Sequence, residues 1–250
     1  MIQTFLFLVV IPVILYKILS RPVTVLRGMS IHHPPHVTSS LLEEFAPLKE
    51  WQKNVSKGLL AQGCEVKKVT VREAYMFGPR IGFLFLEADL FLDGRPIPGA
   101  VLLRGASVAA LLWYRVSGVV YVVMVRQPRV ATGRMVWEVP AGMADGEGTL
   151  KGQMFKEIYE ETGLTFNTDD LICHGSRLTS CGILDEDMVL YSKEIDPPSF
   201  SLNGNFGNVD EDEMIVGVDA VSLDDPRSKE DGKLAMLLSV VFGRDGCPPP

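Results

Sequence analysis

From residue 66 to residue 139 the sequence reads as one strand after another, and at 141–148 that character breaks. The segments 66–76 and 80–92 are rich in β-branched and aromatic residues, the second alternating through Phe83, Phe85 and Leu90. Asp93-Gly94 has the composition of a hairpin turn into a further strand over 97–103. Two apolar strands follow over 106–115 and 119–126, joined at Ser117-Gly118, and a short one over 135–139 ends at Pro140. A Gly-rich acidic loop, AGMADGEG over 141–148, then leads into TLKGQMFKEIYEET over 149–162, which reads as a helix. Thr149 is the expected N-cap and Gly163 the expected residue just past its end. Up to that helix the strands outnumber the helices.

The helix carries the chemistry. Leu150, Met154, Phe155 and Ile158 define its apolar side, while Glu157, Glu160 and Glu161 stand at i, i+3 and i+4. At about 100° per residue the three glutamates share about a third of the circumference, and two lean toward the apolar stripe. Like charges so spaced repel one another. Partly burying them is unfavourable without a cation. Oxygen ligands at this spacing suit Mg²⁺ or Mn²⁺, hard ions that also bridge phosphate oxygens. The alternative is a solvated acidic face.

Composition narrows the field further. Lys and Arg total 24 against 31 Asp and Glu, a net charge of -7. That argues against a nucleic-acid partner, which calls for a clustered positive surface. Cys64, Cys173, Cys181 and Cys247 are scattered, so neither a zinc site nor a disulfide framework is indicated. The mean hydropathy of +0.18 is high for such a charged chain, and the surplus lies in FLFLVVIPVILY over 5–16. Extended over 2–19, the run approaches the roughly 20 residues that span a bilayer core. Lys17, Arg21 and Arg27 follow it, which favours an anchor over residues 1–20 with the rest facing the cytosol. A cleaved targeting peptide leading to an organelle or the secretory pathway is the alternative. Residues 21–40, with Pro34 and Pro35 among His32, His33 and His36, read as a linker rather than a metal site. In 41–60, Leu42, Phe45, Leu48 and Trp51 recur at helical spacing. The expected divisions are therefore 1–20, 21–40, a helical and β region over 41–103, and a second domain over 104–250.

The run from Gly142 through Lys156-Glu157-Ile158-Tyr159-Glu160-Glu161-Thr162-Gly163-Leu164 resembles the Nudix box, with matching spacing and no gap. Two positions depart from that pattern. Its loop Glu falls on Gly148, Glu147 being one residue early, and its Arg falls on Lys156. In the family these two positions form an ion pair that steadies loop and helix. Beyond the box, MFGPRIGFLFLEADLF over 76–91, RGASVA over 104–109, VRQPRVATGRMVWEVPAGM over 125–143 and GKLAMLLSVVF (Gly232–Phe242) are similar to plant Nudix ADP-sugar diphosphatases. Those enzymes belong with the ADP-ribose/ADP-sugar pyrophosphatases. The resemblance runs over about residues 45–245.

It implies an α/β/α sandwich on a mixed sheet, preceded by a small N-terminal β-region that commonly helps form a homodimer. It also implies metal-dependent hydrolysis of a nucleoside diphosphate sugar, ADP-glucose or ADP-ribose in type, to AMP and a sugar phosphate. Glu157 and Glu161, with Glu160 as a third, would hold Mg²⁺ or Mn²⁺, and the Ala141 carbonyl would add an oxygen. Arg129 matches a substrate-contacting arginine. Arg126 is either a second such residue or a surface residue at a strand end. Glu138 matches a substrate- or metal-shell position, with a solvent-facing strand residue as its alternative. Glu160 and Glu186 are the expected catalytic carboxylates. For Glu186 the role is general base on a loop after the helix, with a solvated turn as the alternative. The departures at Gly148 and Lys156 keep a second function open, a weakly active or inactive membrane-tethered module that binds nucleotide-sugars.

Overall fold

Asp93-Gly94 and Ser117-Gly118 both take positive φ at each residue, the mirror-image turn that matches strand twist, and each closes a two-residue hairpin. The computed structural model describes residues 22–144, 148–197 and 214–243. These form two units that divide between Gly105 and Ala106, with Ser180–Glu186 folding into the first.

In the first unit the strands are β1 (Val23–Leu26), β2 (Met29–His32), β3 (Cys64–Phe77), β4 (Arg80–Leu92), β5 (Arg95–Ile97) and β6 (Ala100–Leu103). They form one sheet in the order β1-β2-β3-β4-β5, with β6 also on β4. Helices α1 (Ser39–Glu44) and α2 (Ala46–Asn54) supply Leu42, Phe45 and Leu48 to a core with Val69, Val71, Leu84, Leu86 and Leu103. The helical spacing seen in 41–60 is this buried face, and it is divided between two short helices.

Residues 21–40 are not a linker over their described part. β1 pairs antiparallel with β2 across Arg27-Gly28, and β2 continues the sheet by pairing parallel with β3 at Ile31↔Val69. The physical reason is alternation: Thr24 and Ile31 turn inward, and Ile31 is 0% exposed. The histidines do not converge. Buried His33 shares a 2.8 Å hydrogen bond with the Thr24 hydroxyl, whereas His36 lies 2.9 Å from Glu73. Ile31→Ala is therefore expected to destabilise the protein by about 2–5 kcal/mol in urea unfolding. A residue of a tether would leave the midpoint unchanged.

The second unit is built on β7 (Ser107–Val116), β8 (Val119–Arg129), β9 (Arg134–Glu138), β10 (Ala141–Met143), β11 (Ile172–Leu178), β12 (Asp187–Glu194) and β13 (Gly217–Ser222). The sheet order is β11-β12-β7-β8-β13, with β10 on β7 and β9 on β8. It is mixed, because β12 runs parallel to β7 while the other pairs are antiparallel. Alternation along β7 places the two remaining helices. Val108, Ala110 and Leu112 pack with Met154 and Ile158 of α3 (Leu150–Thr162). Ala109 and Leu111 pack with Leu234 and Leu237 of α4 (Gly232–Phe242) on the other face. The result is the expected α/β/α sandwich on a mixed sheet. The last strand, β13, pairs antiparallel with β8 from Gly217↔Arg126 to Ser222↔Tyr121.

The apolar run over 5–16 and Glu147 lie outside the described residues. Among the described residues no helix is long and apolar enough to cross a membrane.

Candidate functional site

α3 is held at both ends by the residues expected to cap it. The Thr149 hydroxyl accepts a hydrogen bond from the Gly152 amide at 3.1 Å. Gly163 closes the helix in the left-handed conformation, its N–H donating to the Tyr159 carbonyl at 2.8 Å. Ends so defined set the rotation of the helix, and with it where the glutamates point.

They point at β10. This strand pairs with β7 through Ala141↔Ala109 and Gly142↔Val108, so its backbone is part of the sheet. A Cβ on Gly142 would sit 2.2 Å from Cδ of Glu157 and 2.3 Å from its Oε1. The absence of a side chain at 142 is what lets the Glu157 carboxylate lie against the strand. One helical turn on, Glu161 is 1% exposed, and its Oε2 accepts a hydrogen bond from the Ala141 amide at 3.2 Å. The structure thus brings together Glu157, Glu161 and the backbone of Ala141. Glu160 is mostly buried and lies 3.4 Å from Lys156 across one helical turn.

This oxygen-only donor set fits a hard divalent cation. Burial of Glu161 beside a second carboxylate is the kind of environment that such a cation stabilises. Among the described residues no group of three His, Cys, Asp or Glu side chains is arranged to hold a metal. The pair and the adjoining backbone are the part of the expected ligand set that the structure assembles.

Both departures from the box pattern have a local structural correlate. Gly148 adopts φ +99°, a backbone conformation in which a glutamate would be strained. Lys156 reaches toward Glu160 on its own helix.

A second cluster lies three residues upstream of β10. Glu138, at the end of β9, is 6% exposed, which overturns the solvent-facing alternative. Arg129 grips it in bidentate fashion, Nε donating to Oε1 at 2.6 Å and Nη2 to Oε2 at 3.2 Å. Lys233 at the start of α4 donates to the same Oε2. Burial pushes the Glu138 pKa up, but the Arg129 hydrogen bonds and the Lys233 charge outweigh it and hold the carboxyl below its ordinary value. A folded-state pKa below the unfolded value means stability that is present above the ordinary 4.5 and lost as pH falls below it. Glu138→Gln is accordingly expected to flatten the loss of stability below that pH, as read by urea unfolding at stepped pH. Lys233 had no signal near Glu138 in the sequence, where the two stand 95 positions apart.

Arg126 is exposed and does not join this cluster. Arg126 and Arg129 are an odd number of residues apart on β8, so they stand on opposite faces of the strand. Glu186 is neither solvated nor in the second unit. It is buried in the first unit, 3.2 Å from the Arg104 guanidinium. Beside it, Asp185 accepts hydrogen bonds from the Arg104 and Gly105 amides at 2.8 and 3.1 Å. These contacts fasten 180–186 into that unit.

No protein-family model matches the chain. Over 130 residues it is 38% identical to "Nudix hydrolase 14, chloroplastic" of Arabidopsis thaliana, a match over 50% of this chain and 42% of that protein. The chain thus spans under half the length of this curated relative. Among solved structures it is similar to an "ADP compounds hydrolase", with a TM-score of 0.50 and 18% identity over 72% of this chain and 92% of that one. A "MutT/nudix family protein from Enterococcus faecalis" matches at a TM-score of 0.37 and 16% identity, over 47% of this chain and 43% of that one. The likeness to a Nudix hydrolase thus covers half the chain in sequence, and the likeness in fold is to the ADP compounds hydrolase.

Proposed function

We propose that the chain hydrolyses the diphosphate of an ADP-sugar of the ADP-glucose or ADP-ribose type, giving AMP and a sugar phosphate, with Mg²⁺ or Mn²⁺ as cofactor. The observation that carries this is the seating of Glu157 against Gly142 and of buried Glu161 on the Ala141 amide. Sequence similarity to a Nudix hydrolase supports it, as does the likeness in fold to a hydrolase of ADP compounds.

Glu157 and Glu161 would hold the cation, with the Ala141 carbonyl as a further oxygen. A bound divalent ion neutralises phosphate charge and lowers the pKa of an attacking water. The remaining work falls to the chain. Arg129 has the bidentate geometry that phosphate oxygens also accept, and it neutralises an anion that this acidic protein would otherwise repel. Glu138 aims that guanidinium while Arg129 waits for substrate. Of the two carboxylates expected to act as catalytic groups, Glu186 is committed to Arg104. The proposal therefore gives proton acceptance to Glu160, whose partner Lys156 is exposed and sits at 3.4 Å. A homodimer and membrane attachment through residues 2–19 belong to the same proposal, supported by the resemblance and by the apolar run.

The departures at Gly148 and Lys156 favour a second reading, a nucleotide-sugar binding module with little or no turnover. One experiment separates the two. The full chain is incubated with ADP-ribose and ADP-glucose in the presence of Mg²⁺ or Mn²⁺, and AMP is followed by chromatography. Metal-dependent AMP release is expected; nucleotide binding by calorimetry without AMP release would put the binding module in its place.

A further inference from the structure

Glu138 has two cationic partners, and they differ in access. Arg129 forms the outer end of the cluster, its side chain 38% exposed, while Lys233 is only 17% exposed. Lys233 is placed there by its own helix. Asp231 caps α4 by accepting from the Lys233 amide at 2.9 Å, and its other oxygen accepts from the Val139 amide at 2.9 Å. One aspartate therefore fastens the start of α4 to the residue following Glu138. Two acids, Glu138 and Asp231, and two bases, Arg129 and Lys233, balance in charge across the cluster.

If Arg129 turns to a diphosphate, Glu138 must give up that guanidinium. A buried carboxylate stripped of its counter-ion is strongly destabilised. We propose that Lys233 is a positioning residue for substrate binding: it stays on Glu138 as the counter-ion that lets Arg129 exchange a carboxylate for a phosphate. This rests on the hydrolase reading above. Lys233 touches no reacting atom in this scheme; it acts through Glu138 on the availability of Arg129.

The test is steady-state kinetics of AMP release from ADP-ribose by the full chain, with circular dichroism confirming that each variant is folded at the assay temperature. Lys233→Met leaves Arg129 as the only cation of the cluster on Glu138, so KM is expected to rise about tenfold while kcat changes by less than about threefold. Lys233→Arg restores the charge and is expected to return KM toward the wild-type value. In a Glu138→Gln background there is no carboxylate to release Arg129 from, so adding Lys233→Met is expected to leave KM unchanged. That double variant removes both charges together and carries the comparison if Lys233→Met alone does not fold. A wild-type KM in Lys233→Met, a failure of Lys233→Arg to restore it, or a further rise in the Glu138→Gln background would each overturn the proposal. Loss of the hydrolase reading is recognised separately, by wild-type protein that releases no AMP, and it takes the role of Lys233 with it.

Discussion

Glu161→Gln is expected to lower AMP release by about 10³-fold while leaving the protein folded and no less stable. Glutamine keeps the volume of the side chain and an oxygen able to accept from the Ala141 amide, the bond seen at 3.2 Å. What it removes is a negative charge at a position 1% exposed. The neutral isostere is easier to bury than the charged carboxylate, so the metal-free fold should lose no stability. Activity thus falls without a loss of stability. Steady-state kinetics with saturating Mg²⁺, set beside thermal unfolding in EDTA, read the two separately. A Glu161→Gln protein that loses stability in EDTA and keeps its turnover would show the carboxylate to be a structural member of the helix.

Gly142→Ala should produce the second large effect, by displacement instead of removal. The added Cβ falls 2.2 Å from Cδ of Glu157, well inside contact distance. Either the strand or the side chain must yield. β10 is tied into the sheet opposite Val108, which is fully buried, whereas Glu157 ends in a flexible carboxylate. The carboxylate moves. The stability loss should stay at about 1 kcal/mol. Activity should fall by about 10²-fold, the scale set by misplacing a catalytic group by an ångström. In a Glu157→Gln background the same alanine should add little, because the two changes act on one group.

The helix was legible because its signals are local: a threonine before it, a glycine after it, and carboxylates at one-turn spacings. What those carboxylates meet was not, because β10 is only three residues long and its place beside β7 depends on register with a distant strand. The same limit hid Lys233, which the sequence presents as part of an apolar terminal helix. Arg126 and Arg129 look like neighbours in a sequence, and strand alternation parts them. Residues 21–40 misled for a compositional reason. Histidines and prolines resemble a tether, while the alternation of Thr24 and Ile31 around Arg27-Gly28 was the signal of a hairpin. Glu186 reads in the sequence as a general base on a loop or as part of a solvated turn. Asp185 and Glu186 instead meet Arg104 and Gly105, some eighty residues earlier.

The proposed hydrolysis rests on a cation site formed by Glu157 and Glu161 of α3 against β10. Mn²⁺ titration of the full chain, followed by electron paramagnetic resonance, tests it without reference to any substrate. Saturable Mn²⁺ binding by the wild type is expected, which Mg²⁺ competes away and the Glu157→Gln/Glu161→Gln variant loses. Binding of equal strength in that variant, or none in the wild type, would contradict it.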